Sequence, residues 1–177
     1  MTLLAPMPPM LFMGEEWGSK APFPFFCDFH GELAEAVRRG RRIEYGWAYA
    51  RYGNEVPDPL ELVTFQSAVL DWQSIGSAAG RERLALVQRL LKTRQREIMP
   101  RLAGAVFGEA QASDNGLVRA RWTMGDGLAL HLLANLSSHD LSHAATPRNA
   151  QAPGSPIWGG QPGEQLPAWS VFWRLGG

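Results

Sequence analysis

The chain has a single cysteine, Cys27, so no disulfide can form within it, and no metal site built on several thiolates is open to it. It has no excess of either charge: Lys plus Arg and Asp plus Glu each number 17, which leaves no net field to draw it to nucleic acid or an anionic membrane. No apolar run approaches the length of a membrane span. The apolar start, Met1 to Met13, has no basic leader and is broken by Pro6, Pro8 and Pro9, which argues against a signal peptide. Phosphate-binding glycine loops, an HExxH zinc motif and a Gly-x-Ser-x-Gly nucleophile elbow are all missing. Together these point to a reducing, cytoplasmic setting without a cofactor.

What is present is a globular composition, 45% hydrophobic and 19% charged, with 19 Gly and 13 Pro that imply much loop. Seven tryptophans are many for this length. A Trp face can stack on a sugar ring, although burial in a core is the ordinary fate of such a side chain.

The pattern predicts two regions that meet near residue 100. Pro9 to Gly14 is an apolar run bounded by breakers and reads as a buried strand. Glu15, Glu16 and Trp17 follow at its C-terminal end, where parallel barrels gather functional groups. Residues 19 to 31 form a loop in which Phe23, Phe25, Phe26 and Phe29 surround Asp28 and His30. A short helix over Glu32 to Arg39 ends at Gly40, and 44 to 59 reads as irregular. Asp58 and Pro59 mark a helix start before an apolar stripe of Leu62, Phe65 and Val69. Arg81 to Ile98 is the clearest helix, with Leu84, Val87, Leu91 and Ile98 on one side and Pro100 as its stop.

Beyond residue 100 the period changes to two. Leu117 to Met124 and Leu128 to Leu136 flank a Gly-Asp-Gly turn and read as a β-hairpin, and Ala168 to Leu175 reads as a last strand. Residues 137 to 165 read as loops with short strands. His131, His139 and His143 invite a metal reading, but His139 and His143 have no third ligand nearby and a solvated role is preferred. Trp169 and Trp173, four residues apart, face one side if both lie in a strand; with Trp158 they are candidates for sugar binding or for the core.

PPMLFMGEEWG followed by PFPFFCDFHGEL resembles the segment that begins at the eighth barrel strand of alpha-amylase-type glycoside hydrolases, and within them most closely the malto-oligosyltrehalose trehalohydrolases. VPDPLELVTFQSAVLDW, the Arg81 to Ile98 helix, the hairpin and LPAWSVFWRL resemble later parts of the same enzymes, so the likeness covers nearly the whole chain. It implies an α/β region, 1–100, holding the last strand and helices of a (β/α)8 TIM barrel, followed by a small antiparallel β-sandwich domain, 101–177. It implies a metal-independent, retaining hydrolase that cuts the alpha-1,4 bond beside a terminal trehalose unit of malto-oligosyltrehalose or a related alpha-glucan. A branching or debranching relative, or a non-catalytic carbohydrate-binding module, is the alternative. The catalytic carboxylates of such enzymes lie on earlier strands, in a barrel portion upstream of Met1, and their Asn-His-Asp triplet does not occur here. No catalytic residue is therefore expected in this chain. Glu15, Glu16, Trp17, Phe25, Phe26 and Asp28 match the part of the family that lies beside the substrate. An isolated last strand would leave Leu11, Phe12 and Met13 without a covering sheet.

Overall fold

A computed structural model describes residues 1–53, 56–142 and 154–177. His143, one of the candidate metal ligands, lies outside the described residues. The chain forms two compact units, one of Met1–Leu11 with Ala85–Gly177 and the other of Phe12–Leu84.

The first unit is built on the predicted hairpin. Strands β2 (Leu117–Thr123) and β3 (Ala129–Asn135) pair antiparallel from Leu117 opposite Asn135 to Thr123 opposite Ala129. Within their turn, Gly127 donates to the Met124 carbonyl and the Leu128 amide to Asp126 Oδ1. Gly125 has no room for a side chain: a Cβ there would lie 1.7 Å from the Ala103 carbonyl oxygen. The sheet is completed by β1 (Val106–Ala112), β5 (Ser155–Trp158) and β7 (Val171–Gly176), in the order β1-β2-β3-β7-β5, with every neighbour antiparallel. β1 has no counterpart in the sequence reading.

The pleat sends alternate residues to opposite faces. One face carries Ala120, Leu130, Leu132, Trp173 and Leu175, which close on Leu4, Ile98 and Met124 in a single buried cluster. Trp122 and Trp173 stack there with ring centroids 5.7 Å apart. Leu117, Leu133 and Phe172, from the other face, pack with Leu141 and Leu166 of a small ladder between β4 (Leu141–Ser142) and β6 (Gln165–Leu166). The antiparallel character of the C-terminal part is thus as expected, while the second layer among the described residues is a two-stranded ladder.

Trp169 does not join Trp173 on one face. β7 begins only at Val171, so the four-residue spacing has no strand to act through. Trp173 is fully buried and Trp169 is 67% exposed.

In-register pairing also sets Arg121, His131 and Arg174 side by side across β2, β3 and β7, with Glu109 opposite Arg121. Burial, and then the charges of Arg121 and Arg174, push the His131 pKa below its ordinary 6.5, against a weaker upward pull from Glu109. As pH falls, the unfolded chain takes up this proton before the folded one, so stability is full above the unfolded pKa and declines below it. Thermal midpoints measured between pH 7 and pH 5 should fall for the wild type and fall less for His131→Gln. Parallel profiles would show that His131 does not contribute.

The helix predicted at Arg81 to Ile98 is α4 (Ala78–Thr93), which runs on through a π-helical turn, Arg94–Ile98, into a short 3-10 helix, Met99–Arg101. Pro100 therefore sits inside the last turn rather than beyond it. Ile98 and the neighbouring Leu90 reach the sheet cluster, whereas Leu91 is 37% exposed.

In the second unit the helices are α1 (Gly31–Glu44), α2 (Gly46–Tyr52) and α3 (Leu62–Ser67). Gly40 does not end α1. A side chain there would meet nothing within 4 Å, and ion pairs Arg38–Glu35 and Arg41–Glu44 brace the helix on both sides of it. α2 occupies residues expected to be irregular. The predicted strand at Pro9–Gly14 is not formed: these residues have no ladder partner and run into a tight turn at Phe12–Gly18. A parallel strand is held only by its neighbours, and the described residues contain no parallel pair. The predicted stripe is also open to solvent, with Leu62, Phe65 and Val69 at 63%, 47% and 59% exposure. Among the described residues, no helix is long and apolar enough to cross a membrane.

Candidate functional site

The Phe12–Gly18 turn positions three of the six residues singled out above. Glu15 N donates to the Phe12 carbonyl, Gly18 N to that of Glu15, and Ser19 N to that of Gly14. The crossing is tight enough to require glycine at 14, where φ is +84° and a Cβ would come within 2.7 Å of Ser19 Cβ. Glu15 folds back on its own turn, its Oε2 accepting from Phe12 N at 3.0 Å, and it remains exposed. Glu16 is half-buried.

Trp17 anchors the turn. Only 4% of it is exposed, its indole Nε1 donates to Ser74 Oγ at 3.0 Å, and its ring lies 5.1 Å from that of Trp72. Ser74 is fixed in turn, its hydroxyl donating to the Asp71 carbonyl at 2.5 Å.

The aromatic loop that follows forms one wall of a hollow of about 550 Å³, lined by Met13, Phe23, Pro24, Phe25 and Phe26 on one side and by Phe65, Ala68, Val69, Leu70 and Trp72 on the other. Phe26 meets Phe65 with ring centroids 5.1 Å apart. Phe25 is overlaid by the Arg41 guanidinium, 3.8 Å from its ring centre, and Arg41 also reaches Glu44. Glu15 lines a smaller hollow of about 300 Å³ that shares Met13, Phe23, Ala68 and Leu70 with the first. The structure thus gathers Glu15, Phe25 and Phe26 around adjoining hollows. Glu16, Trp17 and Asp28 line neither, and Asp28 is exposed.

A third hollow, of about 650 Å³, was not foreseen. Arg38, Arg42, Tyr49, Asp58, Glu61 and Thr64 contribute to its walls. Arg38 bridges Asp58 and Glu35, both at 2.8 Å, so this arginine is part of a network. Burial raises the Asp58 pKa, but the Leu60 amide and Arg38 together hold its carboxyl below the usual range. The Pro and Arg spacing alone could not show that Arg38 and Asp58, twenty residues apart, would meet.

Among the described residues, no group of three or more His, Cys, Asp or Glu side chains could hold a metal ion. The arrangement offers aromatic walls with one carboxylate, Glu15, in the adjoining hollow, which suits a molecule with apolar ring faces better than a compact ion.

Residues 105–173 match a family described as a domain of unknown function, DUF3459, which is the C-terminal domain of alpha-amylase-type enzymes. The chain is 40% identical over 95 residues to a malto-oligosyltrehalose trehalohydrolase from Deinococcus radiodurans, covering 54% of this chain and 16% of the relative. A Brevibacterium helvolum protein of the same name is 37% identical over 141 residues, covering 77% of this chain and 23% of its own. A 1.4 Å crystal structure of a Salmonella typhimurium protein, provisionally described as an alpha amylase, matches 99% of this chain with a TM-score of 0.80 and 34% identity. This chain spans 29% of that one, so it corresponds to a fraction of the length of each relative.

Proposed function

Because the chain resembles the C-terminal portion of the malto-oligosyltrehalose trehalohydrolases, which are alpha-amylase-type glycoside hydrolases, we propose that it is one part of a hydrolase acting on an alpha-glucan. In this reading the whole protein cuts the alpha-1,4 bond next to the terminal trehalose unit of malto-oligosyltrehalose, by a retaining mechanism and in the cytoplasm. Residues 1–100 complete a (β/α)8 barrel whose earlier strands carry the catalytic carboxylates, and 101–177 form the C-terminal β domain. Glu15, Glu16, Trp17, Phe25, Phe26 and Asp28 belong to the glucan cleft. Phe25 and Phe26 supply an apolar wall, Glu15 and Trp17 hold the nearby turn, and Glu16 and Asp28, outside both hollows, bond sugar hydroxyls in the complete cleft.

The observation that carries this reading is the surface of the second unit. Phe12, Phe23, Val69 and Trp72 are 51%, 65%, 59% and 66% exposed, around the two adjoining hollows. Large apolar patches of this kind mark a surface that something else covers. A retaining glycosidase also needs two carboxyl groups about 5 Å apart. Glu15, the carboxylate that lines a hollow beside the aromatic wall, is occupied with the Phe12 amide.

The test is trehalose release from malto-oligosyltrehalose, measured for the 177-residue chain beside the longer polypeptide that includes its upstream sequence. Release is expected from the longer polypeptide alone. Release by the short chain would place a nucleophile and an acid within it, and the reading would then fail. Trehalose from neither would also refute it.

A further inference from the structure

Among the described residues, Trp169 alone is a non-glycine residue with a positive φ, +56°, and its side chain is 67% exposed. L-residues resist that region because Cβ crowds the neighbouring carbonyl. Such strain persists only where the surroundings impose it, and here they do. Trp169 N donates to the Ser137 carbonyl at 3.2 Å, and Ala168 N to Asp140 Oδ1 at 3.0 Å. Beneath the turn, fully buried Asn135 donates from Nδ2 to the carbonyls of Leu166 and Pro167, both at 3.0 Å.

The local backbone would therefore be served better by glycine, yet it carries the largest side chain. No ring of the described residues stacks on that indole, and it belongs to neither buried cluster. Ser138, His139 and Asp140, on the turn to which Trp169 is tied, are exposed. An open indole, on backbone tied to a turn that carries hydroxyl, imidazole and carboxylate groups, has the two things a pyranose needs. It offers a flat apolar face for the C–H side of the ring and polar partners for the hydroxyls at its edge.

We propose that Trp169 is the platform of a second glucan-contact site, on the C-terminal β domain, that takes glucose residues of an alpha-linked chain. Asp140 accepts a bond from a ring hydroxyl there. The site rests on the glucan chemistry proposed above, but its residues lie in the first unit, and the hollow lined by Phe25 and Phe26 lies in the second.

The experiment is calorimetric titration of the 177-residue chain with maltoheptaose, with mobility in native gels containing soluble starch as a second reading. Trp169→Ala and Trp169→Gly should each weaken binding by roughly tenfold, a loss equivalent to about 1.4 kcal/mol, whereas Trp169→Tyr should retain most of it. Trp169→Gly should keep or raise the melting temperature while losing binding, because it relieves the backbone and removes the platform. That combination separates loss of the site from loss of the fold. Equal affinity in Trp169→Ala and wild type, or no affinity in the wild type, overturns the site. Trehalose release by the longer polypeptide tests the hydrolase reading independently. Release without Trp169-dependent binding refutes this site alone, and Trp169-dependent binding without release leaves the site standing.

Discussion

Arg94→Met should lower the stability of the chain by about 2–4 kcal/mol, a large share of what a domain of this size has. Arg94 is 5% exposed in the π-helical turn after α4, and it reaches back to the N-terminal segment. Its Nη1 donates to the carbonyls of Leu3 and Ala5 at 3.1 and 2.7 Å, and Nη2 to that of Met7 at 2.7 Å. Among the described residues it has no acidic partner, so the interaction is a charged fork on neutral carbonyls.

Two effects oppose each other in the substitution. Burial disfavours the guanidinium and lowers its pKa, so removing the charge relieves a desolvation cost. Against this, Met fills similar volume but donates nothing. The carbonyls of buried Leu3 and Ala5 would lose their Arg94 donor in a place that water does not reach. Met7, at 53% exposure, can turn to solvent. The loss wins because the Leu3 carbonyl is stranded, the Ala5 carbonyl keeps only the Met7 amide, and Leu4 and Ile98, both fully buried, depend on that segment staying docked. Arg94→Lys should recover little, since one ammonium cannot serve three carbonyls in a fixed plane. Urea unfolding of both variants is the measurement. A change below about 1 kcal/mol in Arg94→Met would mean that apolar packing alone holds the segment.

The elements that could be read from the sequence are those whose local pattern agrees with their tertiary surroundings. β2 and β3 alternate cleanly because one face is buried, and their turn is marked by Gly-Asp-Gly. β1 hides for the opposite reason: Val106–Ala112 is exposed at every position, so no contrast is imposed on VFGEAQA. α1 ran past Gly40 because one exposed glycine costs about 1 kcal/mol, which neighbouring ion pairs and helix formers offset. At the site, Phe25 and Phe26 are singled out by the resemblance, since four phenylalanines in one loop can as well anchor it over a core; both line one hollow. Arg94 could not be singled out, since an arginine in an amphipathic helix reads as solvated until the segment it holds, some ninety residues away, is seen beside it. Asn135 was invisible in the same way. A polar residue at the end of an apolar strand looks like the start of a loop.

Asn135→Asp is the more severe test of that buried amide. Asn135 is fully buried, and its Nδ2 donates to the carbonyls of His139, Leu166 and Pro167. Its Oδ1 accepts from both the amide and the hydroxyl of Ser137. An ionised aspartate matches the amide in shape, but it would turn a second oxygen towards three carbonyl oxygens. Repulsion, desolvation of the new charge and three lost bonds all act in one direction, and the expected cost near pH 7 is about 3–5 kcal/mol. Protonation should rescue part of it, because the neutral acid can donate one bond. The folded-state pKa of the new carboxyl would therefore lie above its unfolded value near 3.9. The variant should be most stable below that value and lose the rescue as pH rises through the folded pKa, with unfolding free energies between pH 3 and pH 8 as the readout. Asn135→Leu, which has no charge to remove, should show no such rescue. The same variants bear on Trp169. Once Leu166, Pro167 and His139 are released, the turn has no reason to keep a strained tryptophan open, and glucan affinity should fall with the indole itself untouched. Full affinity in a folded but destabilised Asn135→Leu would show that Trp169 is held without Asn135.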